Sequence, residues 1–491
     1  MSNKQDLLKK VSGVEGVYID QIYPKSIHQV EDTWVFIQKA PQSDELVAFG
    51  SKAKEFKGLE QQVDNTPLVI AKLTFDNGEV LRKLFPFTKP IPVLNKQRSF
   101  GLGDRLGLAT PGHARVFEEY DTYPIFAQQS IRELTLTHRT YEDVIDAASF
   151  GAFKVGFKRG FGADGDHLKK PEDIKYALSL GFTMITLDAS DYIRNDINSM
   201  TDHEVNQHCI LEETLKARYL GKHIQVENHS IEFSEIELKR CVLVYGKAIE
   251  FAANIFKTFF IEGKANANFE LSIDETATPT TPVQHYFVAN ELKLKHVKLD
   301  TLAPRFCGEF QKGIDYVGDL KQFEQELMIH AAIARHFGYK LSIHSGSDKF
   351  SIFTLIGKHT RGHFHVKTAG TNWLEAMRVV AMKAPSLYRQ IHAYALSMFG
   401  EATKFYHVTT DLNRIPKLET LKDSELKELF HNNDSRQLIH ITYGFILNHQ
   451  IDGKFVFRNE LFELWRKEEQ TYSDMLYNHI GKHLELLYKG F

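Results

Sequence analysis

The chain has 491 residues, with 60 Lys and Arg against 63 Asp and Glu, 43% hydrophobic and 25% charged positions, 31 Gly and 14 Pro. Those proportions exclude intrinsic disorder and a collagen-like fibre. At about 150 residues per domain they allow about three units, or one large α/β barrel with an appendage. The formal charge of −3 argues against a surface built to neutralise nucleic-acid phosphates or to lie on acidic lipid.

No window holds the ~18 uninterrupted apolar residues that cross a bilayer, and the opening MSNKQDLLKK lacks the apolar core of a secretory signal. Cys209, Cys241 and Cys307 are scattered and odd in number, so neither a disulfide framework nor a thiolate metal cage is expected. The expectation is a cytoplasmic protein with no nucleic-acid or membrane partner. A homo-oligomer is compatible with the sequence, and no segment specifies one.

Residues 1–95 read as a small β-rich domain. Val17-Tyr18-Ile19, Trp34-Val35-Phe36-Ile37, Leu68-Val69-Ile70 and Val80-Leu81 are β-prone runs separated by polar turns such as Asp76-Asn77-Gly78, and Lys89-Pro90-Ile91-Pro92 closes the unit. From 96 to 415 short apolar runs alternate with helical segments. Pro171-Glu172-Asp173-Ile174 suits a helix start, and Phe182 to Leu187 follows as a buried strand. Asp319 to Phe337 repeats the design, with Gly338 as cap and Lys340-Leu341-Ser342-Ile343 as the next strand. Such strand–helix–strand units imply a parallel sheet covered by helices.

The strand candidates are Ser99–Leu106, Ile125–Gln129, Gly160–His167, Thr183–Asp188, Phe269–Glu275, His296–Asp300, Lys340–His344 and His363–Lys367. Eight is the number that closes a TIM-like (β/α)8 barrel, and Phe405–Thr409 is a ninth candidate. Residues 191–265 read as a helical insertion, and 416–491 as a helical C-terminal extension.

In such a barrel, polar residues at strand C-termini share one mouth. Here nearly every strand ends in charged or metal-ligating groups, whose desolvation is costly unless they bind a metal or an ionic substrate. His167, His344 and His365 come from three strand ends and are the candidate ligands of a divalent cation, with His363 and His407 competing with His365. His330 and His336, on a helix, read as structural. Asp166 adjoins His167 and suits proton abstraction, while Asp164 could orient a histidine. In Phe269 to Thr276 the alternation sends Glu270, Ser272 and Asp274 to one side, with Glu275 at the rim. Glu270 and Glu275 are candidates for the acid partner. Arg305, Arg105, Lys349 and Lys367 are candidates for holding a substrate carboxylate or phosphate. Gly160-Phe161-Gly162-Ala163-Asp164-Gly165 matches the dinucleotide spacing, but the helix begins only at Pro171, too late for its amides to meet a pyrophosphate.

Together, Phe100 to Gly107, Phe126-Ala127-Gln128-Gln129-Ser130, Gly162 to His167, Leu302-Ala303-Pro304-Arg305-Phe306, His344 to Phe350 and Lys367-Thr368-Ala369-Gly370-Thr371 resemble the bacterial tagaturonate/fructuronate epimerase family (UxaE-like). The resemblance covers about residues 95–415. It implies a divalent-metal-dependent isomerase of hexuronate catabolism that interconverts D-tagaturonate and D-fructuronate at C4. The family is also similar to catalysts of ketohexose 4-epimerisation. Zinc, manganese, iron, cobalt or nickel would suit the ligands. A ketose or keto-uronate would be the small-molecule substrate. Because C4 is not adjacent to the carbonyl, retro-aldol cleavage is the favoured route, with Asp166 as acceptor and Glu275 or Glu270 as donor. Another metal-dependent sugar isomerase or aldolase on the same barrel is the nearest alternative, and a non-catalytic carbohydrate-binding protein the more distant one.

Overall fold

A computed structural model describes residues 2–491. The N-terminal unit is an antiparallel sheet of β1 (His28–Val30), β2 (Thr33–Lys39), β3 (Asp44–Phe49), β4 (Leu59–Val63) and β5 (Thr66–Lys72), in the order β1-β2-β3-β5-β4. Alternation along β2, β3 and β5 gives the sheet two apolar faces. Phe36, Val47 and Leu68 pack on Leu7 and Val11 of the first helix. Val35, Leu46 and Val69 pack on Leu81, Leu84 and two barrel phenylalanines, Phe150 and Phe153.

Two of the β-prone runs are not strands. Val80-Leu81 lies in a helix, Phe75–Leu84, whose first turn contains Asp76-Asn77-Gly78. The Asn77 side chain explains this: it accepts from Lys57 N (2.8 Å) and donates to Lys57 O (3.0 Å) and Lys72 O (2.9 Å). Those bonds tie the helix start to the ends of the sheet, and a tertiary contact overrides the local turn signal. Val17-Tyr18-Ile19 leads into a short 3-10 turn, Ile19–Gln21, held where Tyr18 N donates to Gln38 Oε1 (3.0 Å).

The barrel begins with β6 (Arg98–Leu102), β7 (Tyr123–Ser130), β8 (Gly162–Leu168) and β9 (Met184–Asp188). A helical excursion carrying the hairpin β10 (Ile224–Val226) and β11 (His229–Ile231) comes next. The barrel then resumes with β12 (Asn268–Ile273), β13 (Thr301–Pro304), β14 (Lys340–Ile343) and β15 (Phe364–Thr368). The eight barrel strands are parallel and closed, β15 pairing with β6. One strand sits later than the sequence suggested. His296–Asp300 is not a strand, because the preceding helix ends at Leu294 and His296 takes a left-handed turn (φ 60°). Asp300 instead accepts from Phe269 N (2.8 Å), and pairing starts at Thr301. Pro304 is tolerated because it is the last residue of the strand. Phe405–Thr409 is loop.

Helix caps follow the sequence signals. Asp319 accepts from Lys321 N (2.8 Å) and Gln322 N (3.2 Å) at the head of Leu320–Phe337, and Gly338 closes it at φ 81°. The last long helix, Glu469–Tyr488, packs against Thr110–Phe117, which follows β6, and Phe350–Thr360, which follows β14. Ile480, Leu484 and Leu487 are buried in the barrel core. The C-terminal segment therefore completes the outer ring beside the β15–β6 seam. Among the described residues, no helix is long and apolar enough to cross a membrane.

Candidate active site

The barrel interior is polar in layers set by strand register. At the bottom, His365 is aligned with Ser342 on one side and Ser99 on the other. Its Nδ1 is 3.0 Å from Ser99 Oγ, which also receives Lys340 Nζ (2.7 Å). One layer up, Thr186, Glu270 and Thr301 are neighbours across β9, β12 and β13. Thr301 donates to Glu270 Oε2 (2.5 Å) and Thr186 to Asp164 (2.9 Å). Lys367 reaches into this layer and donates to Asp164 (2.6 Å), Thr186 (2.7 Å) and Asp166. Glu270 Oε1 is 3.5 Å from the same ammonium.

The upper layer carries the imidazoles. His344 Nε2 is 2.7 Å from Glu270 Oε1, so Nε2–H donates, and in the neutral ring Nδ1 is the nitrogen left with a lone pair. That Nδ1 is buried without a hydrogen-bond partner, although Asp274 Oδ1 lies 3.2 Å away. The geometry between the two atoms is not that of a hydrogen bond. His167 joins them, its ring 4.9 Å from that of His344 and its Nδ1 2.7 Å from Asp166 Oδ1. Ligand atoms of His167, Asp274 and His344 all lie within 4.8 Å of one another. The backbone is bent to do this: β8 carries a register shift between Gly165 and Leu168, His167 has φ 55° and Ser345, after His344, has φ 49°.

Charge balance also fits a cation. Asp164, Asp166, Glu270 and Asp274 stand in a largely buried space with one lysine, Lys367, which reaches only the first three. Burial, partly relieved by Lys367, raises the Asp164 carboxyl to about 6. Burial is the largest influence on Asp166 and Glu270 and acts to raise both, but Lys367 together with His167 at Asp166, and with His344 at Glu270, holds both well below the usual carboxylate range. His344 is buried, yet the acids at its two nitrogens lift it to about 10. A divalent ion between His344, His167 and Asp274 would supply that positive charge and leave the imidazoles neutral. Glu270 and Asp166 would then orient them as carboxylate–histidine–metal pairs.

Above this triad opens a cavity of about 340 Å³ lined by Asp166, His167, Asp274, Glu275, His344 and Lys367, by Arg105 and Lys312 from the loops after β6 and β13, and by Arg132 and Glu133 from the helix Ile131–Thr137 that follows β7. Several expected residues lie elsewhere. His365 is in the bottom layer, out of reach of the triad, because it stands two positions before Lys367 on an inward-facing strand. His363 precedes β15, and His407 is exposed in a loop. Glu270 sits behind His344 and does not line the cavity. Lys349 is fully buried and donates to the carbonyls of Gln311 (2.9 Å), Ile314 (2.6 Å) and Ser347 (3.0 Å). Arg305 donates to Thr276 O and lines an adjoining cavity of about 190 Å³ that shares Asp274, His344 and Ser345.

Arg105 does line the main cavity, but its guanidinium is spent on Glu133 (2.9 Å) and stacks on Tyr443 at 3.7 Å. A Cβ at Gly370 would come within 2.6 Å of Arg105 Nη2 and His440 Nε2, so the Lys367–Thr371 motif needs glycine there. Asp274 is the ligand-type residue missing from the sequence-derived metal set, although it shares the inward face of Glu270. Lys312 comes from a loop whose direction no periodicity encodes, and Arg132 from the first turn of the short helix Ile131–Thr137.

A closed parallel barrel with acids, imidazoles and a buried lysine at its strand C-termini defines a TIM-type enzyme acting on a small polar substrate. A sequence model of the tagaturonate epimerase family, UxaE, matches residues 23–487. A tagaturonate/fructuronate epimerase of Thermotoga maritima is 42% identical over 475 residues, covering 95% of this chain and 97% of the relative. The native crystal structure of the fructuronate-tagaturonate epimerase UxaE from Cohnella laeviribosi is 48% identical, covers 99% of each chain and superposes with a TM-score of 0.93. A glycerol complex of that enzyme matches equally well. The chain belongs to the UxaE tagaturonate epimerase family and is a carbohydrate epimerase of the isomerase class.

Proposed function

We propose that this enzyme interconverts D-tagaturonate and D-fructuronate by inversion at C4, with a divalent cation held by His167, His344 and Asp274. The observation that carries the reading is the convergence of those three residues, with an unpartnered buried nitrogen among them, on the wall of the cavity of a chain in this family. Imidazole and carboxylate ligands suit zinc, manganese, iron, cobalt or nickel. When bound, such an ion supplies a Lewis acid that stabilises negative charge on substrate oxygens.

The remaining chemistry belongs to the chain. Asp166 lines the cavity beside His167, and Lys367 keeps it ionised, so it accepts the C4 hydroxyl proton. The C3–C4 bond then breaks, its electron pair passing to the ketose fragment as an enediolate and leaving an aldehyde at C4. Rotation of the aldehyde and re-addition through the other face form the epimeric alkoxide, which Glu275, exposed at the rim, protonates. Glu270 orients His344 and takes no part in proton transfer.

Assays of tagaturonate, fructuronate and neutral ketohexoses side by side test the substrate assignment. Turnover in D2O tests the route: the cleavage path leaves no solvent deuterium at C4, and deuterium there would overturn it. His167→Ala and His344→Ala should each lose bound metal and turnover together. Full metal occupancy in either variant removes that residue from the ligand set.

A further inference from the structure

The cavity holds a cationic corner that the metal triad does not explain. Lys312 projects from the loop between β13 and helix Leu320–Phe337, and its Nζ has one side-chain hydrogen bond, to Ser345 Oγ at 3.2 Å. Arg132 lines the same cavity and lies over the Tyr406 ring, its guanidinium carbon 5.7 Å from the centroid. Among the described residues, neither cation has a carboxylate within ion-pairing distance. Glu133, the nearby acid, is already taken by Arg105. Burial lowers the Lys312 ammonium from its ordinary value; the Glu133 carboxylate opposes this in part, and the neighbouring Arg105 and Arg132 charges add to it. With Glu133 committed to Arg105, the corner carries two cations and, among the described residues, no ion-pair partner for either.

The loop bearing Lys312 is tied down carbonyl by carbonyl. Lys349 holds Gln311 O and Ile314 O, Gln437 Nε2 donates to Lys312 O (3.2 Å), and Arg436 Nε donates to Gly313 O (2.6 Å). Arg436 is in turn paired with Asp348 at 2.7 Å. A buried lysine and a buried arginine are thus used to fix the backbone on both sides of one half-buried ammonium. Such pre-organisation suits a binding group that must not move, since ordering costs are met before the ligand arrives.

We infer that Lys312, with Arg132 of the same cavity, is the subsite for the carboxylate of the sugar acid and sets the preference for keto-uronates over neutral ketohexoses. This rests on the substrate class proposed above. Ser345 adjoins the metal ligand His344, so a substrate spanning both sites would bind its keto end at the triad and its carboxylate at Lys312. Lys170 is the competing candidate: it lines the same cavity from the opposite rim but is exposed.

The test is steady-state kinetics of the metal-loaded enzyme with D-fructuronate as substrate and D-tagatose as competitor. Lys312→Met should raise the D-fructuronate KM by roughly 10- to 100-fold, the loss of one charge-assisted bond, while kcat changes little. Its inhibition constant for D-tagatose should stay within about twofold, since that ligand has no carboxylate for the corner to bind. Lys312→Arg should recover part of the affinity, and Arg132→Met should give a smaller loss of the same kind. Equal losses for both sugars, no loss, or a uronate-specific loss confined to Lys170→Met would each overturn the assignment. A wild-type enzyme that turns over neither keto-uronate would instead remove the proposed function, and the subsite with it.

Discussion

Glu270→Gln separates an orienting carboxylate from a catalytic one. Glu270 is fully buried, and its Oε1 receives the Nε2–H of His344 at 2.7 Å while Oε2 receives Thr301 at 2.5 Å. Glutamine has the same shape, and its carbonyl can still accept from His344, so the ring remains in place while the charge behind it is lost. Lys367 keeps Asp164 and Asp166, so the polar layer stays paired. Removing the anion behind a metal-bound imidazole typically weakens the ion by 10- to 100-fold, about 1.4–2.8 kcal/mol. Chelator-buffered metal titrations of activity, read beside bound metal by elemental analysis, should show an affinity loss of that size. Turnover should return at saturating ion to within about tenfold of wild type, because the substrate-facing groups are untouched. Unchanged metal affinity with turnover lost beyond rescue would mean that Glu270 handles the proton itself, and the orienting argument would fail.

Other expectations follow from buried charge. Asp348→Asn breaks the pair with Arg436 and should lower stability by about 3–5 kcal/mol, read by denaturant unfolding. Lys349→Met orphans three buried carbonyls; beyond a stability loss of about 2–4 kcal/mol it should raise the keto-uronate KM by loosening Lys312, with D-tagatose inhibition unaffected. His392 is buried with neither nitrogen partnered, and burial lowers it to about 4. The folded state therefore resists protonation that the unfolded chain accepts below about 6.5. Stability from this group is complete above that value and falls by about 2 kcal/mol between pH 7 and 5. His392→Phe should remove that share of the acid sensitivity, and an unchanged pH profile of unfolding would contradict the reasoning.

Much of the architecture is legible because burial on both faces leaves continuous apolar runs with polar residues at one end. The stretches around Thr183–Asp188, Lys340–His344 and His363–Lys367 show this clearly. β13 was hidden because Val297 and Leu299, buried in a connecting segment, imitate a strand, whereas the true strand is four residues long and ends in proline. Val80-Leu81 misled because β-branched and aliphatic residues also serve a helix, and the Asn77 contacts that start that helix come from residues distant in sequence. The site follows the same logic. Strand ends gave Asp166, His167, His344 and Lys367, because register fixes which side chains face inward. Depth along a strand is harder to read: His365 and Lys367 face the same way, yet one layer separates the barrel floor from the cavity.

That layering explains why one mouth tolerates so many acids. Each carboxylate is met by another side chain of the barrel: Asp164 and Asp166 by Lys367, Glu270 by His344 and by Thr301 of the adjacent strand, and Asp274 by Ser272 of its own strand. Lys367 reaches three of the four acids but not Asp274, so positive charge runs out toward the solvent, where His344 Nδ1 and Asp274 Oδ1 lie 3.2 Å apart without a hydrogen bond. Beyond them Lys312 and Arg132 reverse the imbalance, presenting cations with no acid to meet. An acidic ketose and a divalent cation have the charges to answer both deficits at once, the ion on the acid side and the carboxylate on the basic side. The two ends of the cavity are therefore complementary to two charges the chain does not itself contain. Neutralising either end alone, by Asp274→Asn or by Lys312→Met, should weaken one partner while leaving the other close to its wild-type affinity. A variant at one end that costs both equally would show that the two deficits are not independent.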